Sequence, residues 1–514
     1  MGVPVAGVAA DRPQLGLVDA SAIEDSIGNV HHDNFTDDEI VATSGASDVH
    51  DVDDDALHRG GRLRNARRTD AFRRQLGQPG VFEFVLLGRQ CRSGVVHRRD
   101  GLGRDDVDRE LRYLLHVGER VLVTAADGTG REGNVHRVVA DQVEERIGRE
   151  VRDALDTEAA IAEEAGTPMT DRAVALCRDA GLYGTMITRD AGGAELTIGE
   201  SLDVFKELAR ADGSTGWVVM ASSTAAAYFS AFCPDSFVQQ AFGDGPSPLV
   251  AGQFAPNGVA VPDGDTYAIT GSYNFGSGIE HADWVGCGSF TAPTDGTPAD
   301  YMFAVVPKEE ANITGNWDVL GLRATASYDY SIDSTVPADR TFSFGGHTRH
   351  RGGPMYDLGV LCLTEVGHAG WVLGVLRRAI DEAALIARSK QRMTGKTTLA
   401  DDPRFQYDLA MAESTLQSGE LWIRDAFHRA EQHAIAGGGI DPAIDNDVRQ
   451  STTFLTQRAC RVVQDLYLHI GTTALRDGPF QRCFRDLHAG SQHAMVSPAH
   501  TFEFAGRLLA EPEA

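Results

Sequence analysis

The apolar residues of this chain change their period twice, which restricts the folds it can adopt. Over about 138–245 they recur at helical spacing, in VVADQVEERIGREVRDALDTEAAIAEEAG, TDRAVALCRDAGL and IGESLDVFKELARAD, with Thr170 placed to cap the second stretch. Over about 246–345, short runs rich in Val, Tyr, Phe, Thr and Trp alternate with Gly, Pro, Asp and Asn, as in DTYAITGSYNFGSG and ADWVGCGSFTA. That is the pattern of an antiparallel β domain. After Pro354 the helical period returns in three long stretches, through Val366–Ile386, Phe405–Ala430 and Val448–Ile470, with a shorter one from about 484. The expected order is a helical domain (138–245), an antiparallel β domain (246–345) and a C-terminal helix bundle (346–514).

The first 137 residues differ in texture. They hold no lysine and many Arg and Asp, and only VFEFVLLG (81–88) and VLVTAA (121–126) read as strands. The expectation is an N-terminal extension of low order, or a stretch upstream of a native start near Arg137–Val143. Gly128, Gly130 and Gly133 match GxGxxG, but no second strand ending in an acid follows, so a dinucleotide site is not expected. The acidic run Asp48–Asp55 has Ala56 and Arg62 where a calcium loop needs Gly and Glu, and reads as a solvated segment. No metal-ligand spacing occurs in the sequence.

The balance of 74 acidic against 47 basic side chains, a formal charge of -27, disfavours nucleic-acid and anionic-membrane binding. Seven cysteines without a CxxC pair fit reduced thiols, and the N-terminus lacks the basic start of a signal peptide. A cytoplasmic location is the expectation. The longest uncharged run, Thr215–Pro234, is dotted with Ser, Thr and Ala and reads as a buried helix rather than a membrane span.

Three stretches carry chemistry. ARADGSTGWVV (209–219) ends one helix and presents Trp217. ITGSYNFGSGIEHADW (269–284) puts Ser277 in a glycine-flanked turn beside Phe275, where backbone and hydroxyl can approach a planar ligand closely. GPFQRCFRDLHAGSQHAMVSP (478–498) is dense in Arg, Asp and His within an otherwise apolar bundle. Together with WDVLGLRATASYDYSIDSTVP (317–337), these motifs in this domain order resemble the acyl-CoA dehydrogenase fold over about 140–510, which implies a middle antiparallel β-barrel and a C-terminal four-helix bundle. Within that fold they look most like the reduced-flavin-dependent monooxygenases, the oxygenase halves of two-component aromatic and steroid hydroxylases. Many acyl-CoA dehydrogenases place a catalytic Glu shortly after the Arg485-Asp486 pair; here that place is Ala494, with His493 beside it.

The resemblance implies an oxygenase component that takes reduced FMN or FAD from a separate NAD(P)H-dependent flavin reductase, consumes O2, and hydroxylates an aromatic or polycyclic small molecule through a C4a-hydroperoxyflavin. It implies Ser277 near the flavin N5, and His493 stabilising the hydroperoxide or accepting a phenolic proton. Trp217 and Phe275 would wall the flavin from water, and Arg388 and Arg392 would reach a neighbouring subunit's flavin phosphate in a homotetramer. Several relatives carry a His a few residues after Ser-Thr-x-Trp; here the stretch is ASSTAAAYF (221–229), leaving Ser222 and Tyr228 as candidate substrate contacts and Ala225–Ala227 as space for a bulky ring system. Two other readings stand beside this one, an FAD-linked acyl-CoA dehydrogenase and a non-catalytic flavin-binding member.

Overall fold

The computed structural model describes residues 42–44, 80–87, 95–102, 120–126 and 147–510, apart from 244–246, 294–298 and 392–396. The glycine motif at 128–133, the acidic run at 48–55, the stretch 137–143 and Arg392 lie outside the described residues. The chain divides into two compact units, Met1–Gln142 and Val143–Ala514.

In the first unit four strands, β1 (Ala42–Ser44), β2 (Gly80–Leu87), β3 (Val95–Leu102) and β4 (Arg120–Ala126), pair in the order β1-β4-β2-β3. The runs read as strands from the sequence fall in β2 and β4. Strand β3, VVHRRDGL, with three charged residues in a row, has no alternation to announce it.

The second unit opens with helices α1 (Arg149–Ala165), α2 (Asp171–Asp179), α3 (Ile198–Ala211), α4 (Gly213–Phe232) and α5 (Asp235–Phe242). Each start has a chemical cause. Thr170 Oγ1 accepts the Ala173 N–H at 3.1 Å, Thr197 and Glu200 close a capping box, and Asp212 accepts the Thr215 N–H. Helix α4, with almost every side chain buried, is the uncharged run of the sequence.

The middle of the unit is one seven-stranded sheet in the order β11-β8-β7-β5-β6-β10-β9, from β5 (Val250–Asp263), β6 (Thr266–Gly276), β7 (Trp284–Thr291), β8 (Tyr301–Pro307), β9 (Ala311–Ile313), β10 (Tyr328–Pro337) and β11 (Thr341–Ser343). One ladder departs from the antiparallel expectation: β5 and β7 run parallel. Strand β6 folds back on β5 as a hairpin, and the chain then crosses the sheet end through 277–283 to enter on the other side of β5. Two reversals restore the first direction, and parallel neighbours need such a crossover. Ser277 sits at its start.

Five further helices follow, α6 (Gly359–Ser389), α7 (Pro403–Ile435), α8 (Pro442–Ile470), α9 (Pro479–Gly490) and α10 (Pro498–Ala510). The stretch Pro354–Ser389 is long and apolar enough to cross a membrane, but 89% of its most apolar window is buried in the protein, so it is a core helix.

Hydroxyls on α4 serve the backbone around it. Ser222 Oγ accepts the Val250 N–H at 2.9 Å, Ser223 Oγ the Met186 N–H at 3.1 Å and Ser230 Oγ the Thr188 N–H at 3.2 Å. Ser222 is fully buried and tied to the start of β5, which corrects its expected role as a substrate contact. Ala225–Ala227 are likewise buried and serve packing rather than open space. Ser222→Ala would leave the Val250 N–H without its acceptor and should cost about 1–3 kcal/mol, read as a lower urea midpoint at unchanged slope.

Candidate active site

Trp217, on the second turn of α4, is where three distant parts of the chain meet. Its Nε1–H donates to Ser277 Oγ at 3.1 Å. Its ring stands edge-on to His368 of α6 (centroids 5.2 Å), to Trp371 of α6 (5.0 Å) and to His493 beyond α9 (5.6 Å). His368 and His493 lie 4.4 Å apart with tilted rings. Trp371 Nε1–H donates to the Gly213 carbonyl at 2.8 Å, which ties the first turn of α4 to α6. Gly490 makes the approach possible, because a Cβ there would stand 2.4 Å from Trp371.

Ser277 continues inward through a buried chain of hydroxyls. Its Oγ is 2.9 Å from Ser327 Oγ, which is 2.7 Å from Thr325 Oγ1, which donates to the Leu322 carbonyl at 2.8 Å. The turn is pinned there, since the Gly278 N–H donates to the Thr325 carbonyl at 2.8 Å. Phe275, Leu322 and Ala326 have φ of 62°, 55° and 42°, left-handed conformations that side-chain-bearing residues rarely adopt. Among the described residues only Glu195 joins them. Strain of this kind persists where the surroundings over-determine it, often at functional sites.

Asp486 of α9 holds the same loop. Its Oδ1 accepts the Leu322 N–H at 2.6 Å, and Gly213 leaves room for it, since a Cβ there would stand 2.5 Å from Asp486 Oδ2. Burial, with the Asp212 carboxylate nearby, pushes Asp486 up to about 7. Burial also raises Asp212, against the pull of the Thr215 N–H. Arg485 and Arg323 both pair with Glu163 of α1 and close this corner from outside.

The two histidines are neutral. Burial lowers His368 well below the usual imidazole value, with His493 adding to the effect. His493 is exposed as a residue, and the protein atoms packed around its ring lower it to about 4. His493 Nδ1 accepts the Met495 N–H at 3.3 Å. That bond puts the ring proton on Nε2, making the free nitrogen a donor.

The expected residues are only partly gathered here. Trp217, Ser277 and His493 converge. Phe275 does not wall the site: it is 59% exposed, edge-on to Trp317 at 6.1 Å, because its left-handed backbone turns it outward. Two residues before Ser277, it leaves apolar surface that a planar ring can cover. Tyr228 is buried, with its hydroxyl bonded to Thr364 and to the Val360 carbonyl at 3.3 Å, which corrects its expected substrate contact. Arg388 is exposed at the end of α6. His368, Ser327 and Thr325 were missed; His368 shows in the sequence only as a lone histidine in an apolar helix, a pattern most often left by core packing.

Residues 136–237 match the acyl-CoA dehydrogenase N-terminal domain and 366–498 the acyl-CoA dehydrogenase C-terminal domain. Indole-3-acetate monooxygenase of Pseudomonas putida is 30% identical over 339 residues, 64% of this chain and 84% of that relative. The chain belongs to the flavin-dependent monooxygenases of the acyl-CoA dehydrogenase fold. The flavin-dependent monooxygenase oxygenase subunit HsaA of Mycobacterium tuberculosis is 26% identical over 66% of this chain and 88% of its own length. Among solved structures, XiaF from Streptomyces sp. in complex with FADH2 and glycerol superposes with a TM-score of 0.65 at 23% identity, covering 73% of this chain and 96% of that one. The family's fold accounts for the middle sheet between two sets of helices.

Two expectations follow for this monooxygenase. The His493 ring should titrate near pH 4 by NMR and stay neutral from pH 6 to 8. Asp486 holds its proton from about 3.8 up to about 7 only in the folded chain, so stability falls as pH rises through that window. Asp486→Asn should flatten that decline in unfolding experiments, and an unchanged slope would count against the assignment.

Proposed function

We propose that this chain is the oxygenase component of a two-component system, taking reduced FMN or FAD from a separate NAD(P)H-dependent reductase and hydroxylating an aromatic small molecule. The observation that carries this reading is the convergence on Trp217 of a Ser277 oxygen and a neutral His493 Nε2–H. A reduced isoalloxazine fits beside them: Phe275 offers apolar surface for its face, and Ser277 Oγ keeps a lone pair for its N5–H. Bound reduced flavin supplies, with O2, the oxygen atom that an electron-rich ring receives.

The chain's own residues have separable tasks. Ser277 accepts a hydrogen bond and fixes the ring's position. His493 donates from Nε2 toward developing negative charge on oxygen; its low pKa disfavours the alternative of a base that keeps the proton. Trp217 and His368, both buried, close the inner wall against water, which would otherwise release peroxide without product. Arg388, exposed at the end of α6, would meet the flavin phosphate of a neighbouring copy.

A dehydrogenase would need a carboxylate at the substrate. Ala494 occupies the family's place for it. Glu365 of α6 has no accessible surface and faces Arg449 at 3.7 Å, while Asp486 is held by the Leu322 N–H. Burial in a reducing compartment suits the six described cysteines, all free, and supports a cytoplasmic setting. Tyr407, Met411 and Leu421 stand exposed along one side of α7, an apolar stripe that supports self-association, here as a homotetramer.

Supplying reduced FMN, 18O2 and indole-3-acetate or a phenol as probe should yield a product carrying one 18O atom. His493→Ala and Ser277→Ala should lower product per flavin oxidised by on the order of tenfold or more. Acyl-CoA-dependent reduction of a dye without oxygen would overturn the reading. Paired Tyr407→Glu and Met411→Glu changes should shrink the particle in light scattering, and an unchanged mass would sink the α7 interface.

A further inference from the structure

The hydroxyl chain behind Ser277 has a direction, and we propose that this direction makes the site select reduced over oxidised flavin, with Ser327 and Thr325 as the positioning residues that set it. The inference rests on the flavin reading above and concerns how the chain tells two redox states apart.

A carbonyl oxygen can only accept. The 2.8 Å contact between Thr325 Oγ1 and the Leu322 carbonyl therefore takes Thr325's single hydroxyl hydrogen. Thr325 can then meet Ser327 at 2.7 Å only as an acceptor, so the Ser327 hydrogen points to Thr325. Ser327 in turn accepts from Ser277 at 2.9 Å, and the Ser277 hydrogen points inward. Trp217 Nε1–H occupies one lone pair of Ser277 Oγ at 3.1 Å. What Ser277 has left to offer is a lone pair and no proton.

Reversing the chain would set two oxygen lone pairs against each other at the Leu322 carbonyl. Thr325 is fully buried and Ser327, Ser277 and Trp217 nearly so, in surroundings where an unmatched polar contact is most costly. The carbonyl cannot swing away, because it also takes the Trp317 Nε1–H at 3.0 Å and the Thr325 N–H at 3.2 Å. The left-handed residues Leu322 and Ala326 sit at the two ends of the same turn. Polarity is thus built into the backbone and handed outward to Ser277.

A reduced isoalloxazine carries N–H at N5, whereas an oxidised one presents a lone pair there. Ser277 attracts the first and repels the second. Oxidised flavin, left after turnover, is then expelled by the same atom that held its reduced form.

The test measures binding rather than turnover. Anaerobic titrations with oxidised FMN and with dithionite-reduced FMN give a ratio of dissociation constants for the wild-type chain and for Thr325→Val, Ser327→Ala and Thr325→Ser. Either of the first two frees the Ser277 hydrogen to turn outward. Reduced FMN should bind more weakly and oxidised FMN more tightly, changing the ratio by on the order of tenfold. Thr325→Ser keeps the hydroxyl and should keep the wild-type ratio. Parallel weakening of both forms, or an unchanged ratio, in variants whose thermal midpoints show them folded would overturn the inference while leaving the flavin reading intact. A wild-type chain that binds neither form would overturn the flavin reading and this inference with it.

Discussion

The site depends on a helix that has no side facing water. Because α4 is enclosed, its polar side chains must find partners inside the protein, and several of those partners are backbone N–H groups of its neighbours. Ser222, Ser223 and Ser230 each take one such N–H, from β5 and from the irregular chain between α2 and α3. Trp217 obeys the same rule in reverse. Its indole N–H needs an acceptor, finds Ser277 Oγ, and so fastens the helix to the sheet crossover. The demand to satisfy one buried donor therefore fixes the position of the Ser277 hydroxyl.

Low dielectric around α4 accounts for the site's electrostatics as well. The same enclosure that lowers His493 and His368 raises Asp486 and Asp212, because burial penalises whichever form carries charge. The groups gathered at Trp217 are thus neutral donors and acceptors whose directions are fixed by hydrogen bonds, not formal charges. Such a surface suits a flat, delocalised ring and discriminates by where hydrogens lie. The charged groups stand behind it: Glu163, Arg485 and Arg323 brace the 320–327 loop.

Much of the architecture was legible in the sequence because periodicity reports which faces must be buried. The helical stretches, the Thr170 cap and the position of the middle sheet follow from apolar spacing and cap chemistry. The parallel β5–β7 ladder did not show, since strand direction depends on where a connection crosses and alternation is the same either way. Within the site, Ser277 and His493 stood out by their glycine-flanked turn and by the missing carboxylate. Ser222 and Tyr228 were misread because a hydroxyl on a small-residue helix looks the same whether it meets a substrate or a backbone N–H. The outward turn of Phe275 did not show, because nothing in its neighbours announces a left-handed backbone.

By itself the sequence determined the elements, their order, and the Ala494-His493 neighbourhood that stands where many members of this fold place a carboxylate. Those properties are local, set by side-chain spacing and by what stands at a given place in a motif. Only the tertiary structure decided that Trp217, Ser277, Ser327, Thr325 and Leu322 form one directed chain, and that His493 carries its proton on Nε2. Direction in a hydrogen-bond chain is set by its terminus, and here that terminus is a carbonyl 45 residues along the sequence from the serine it orients.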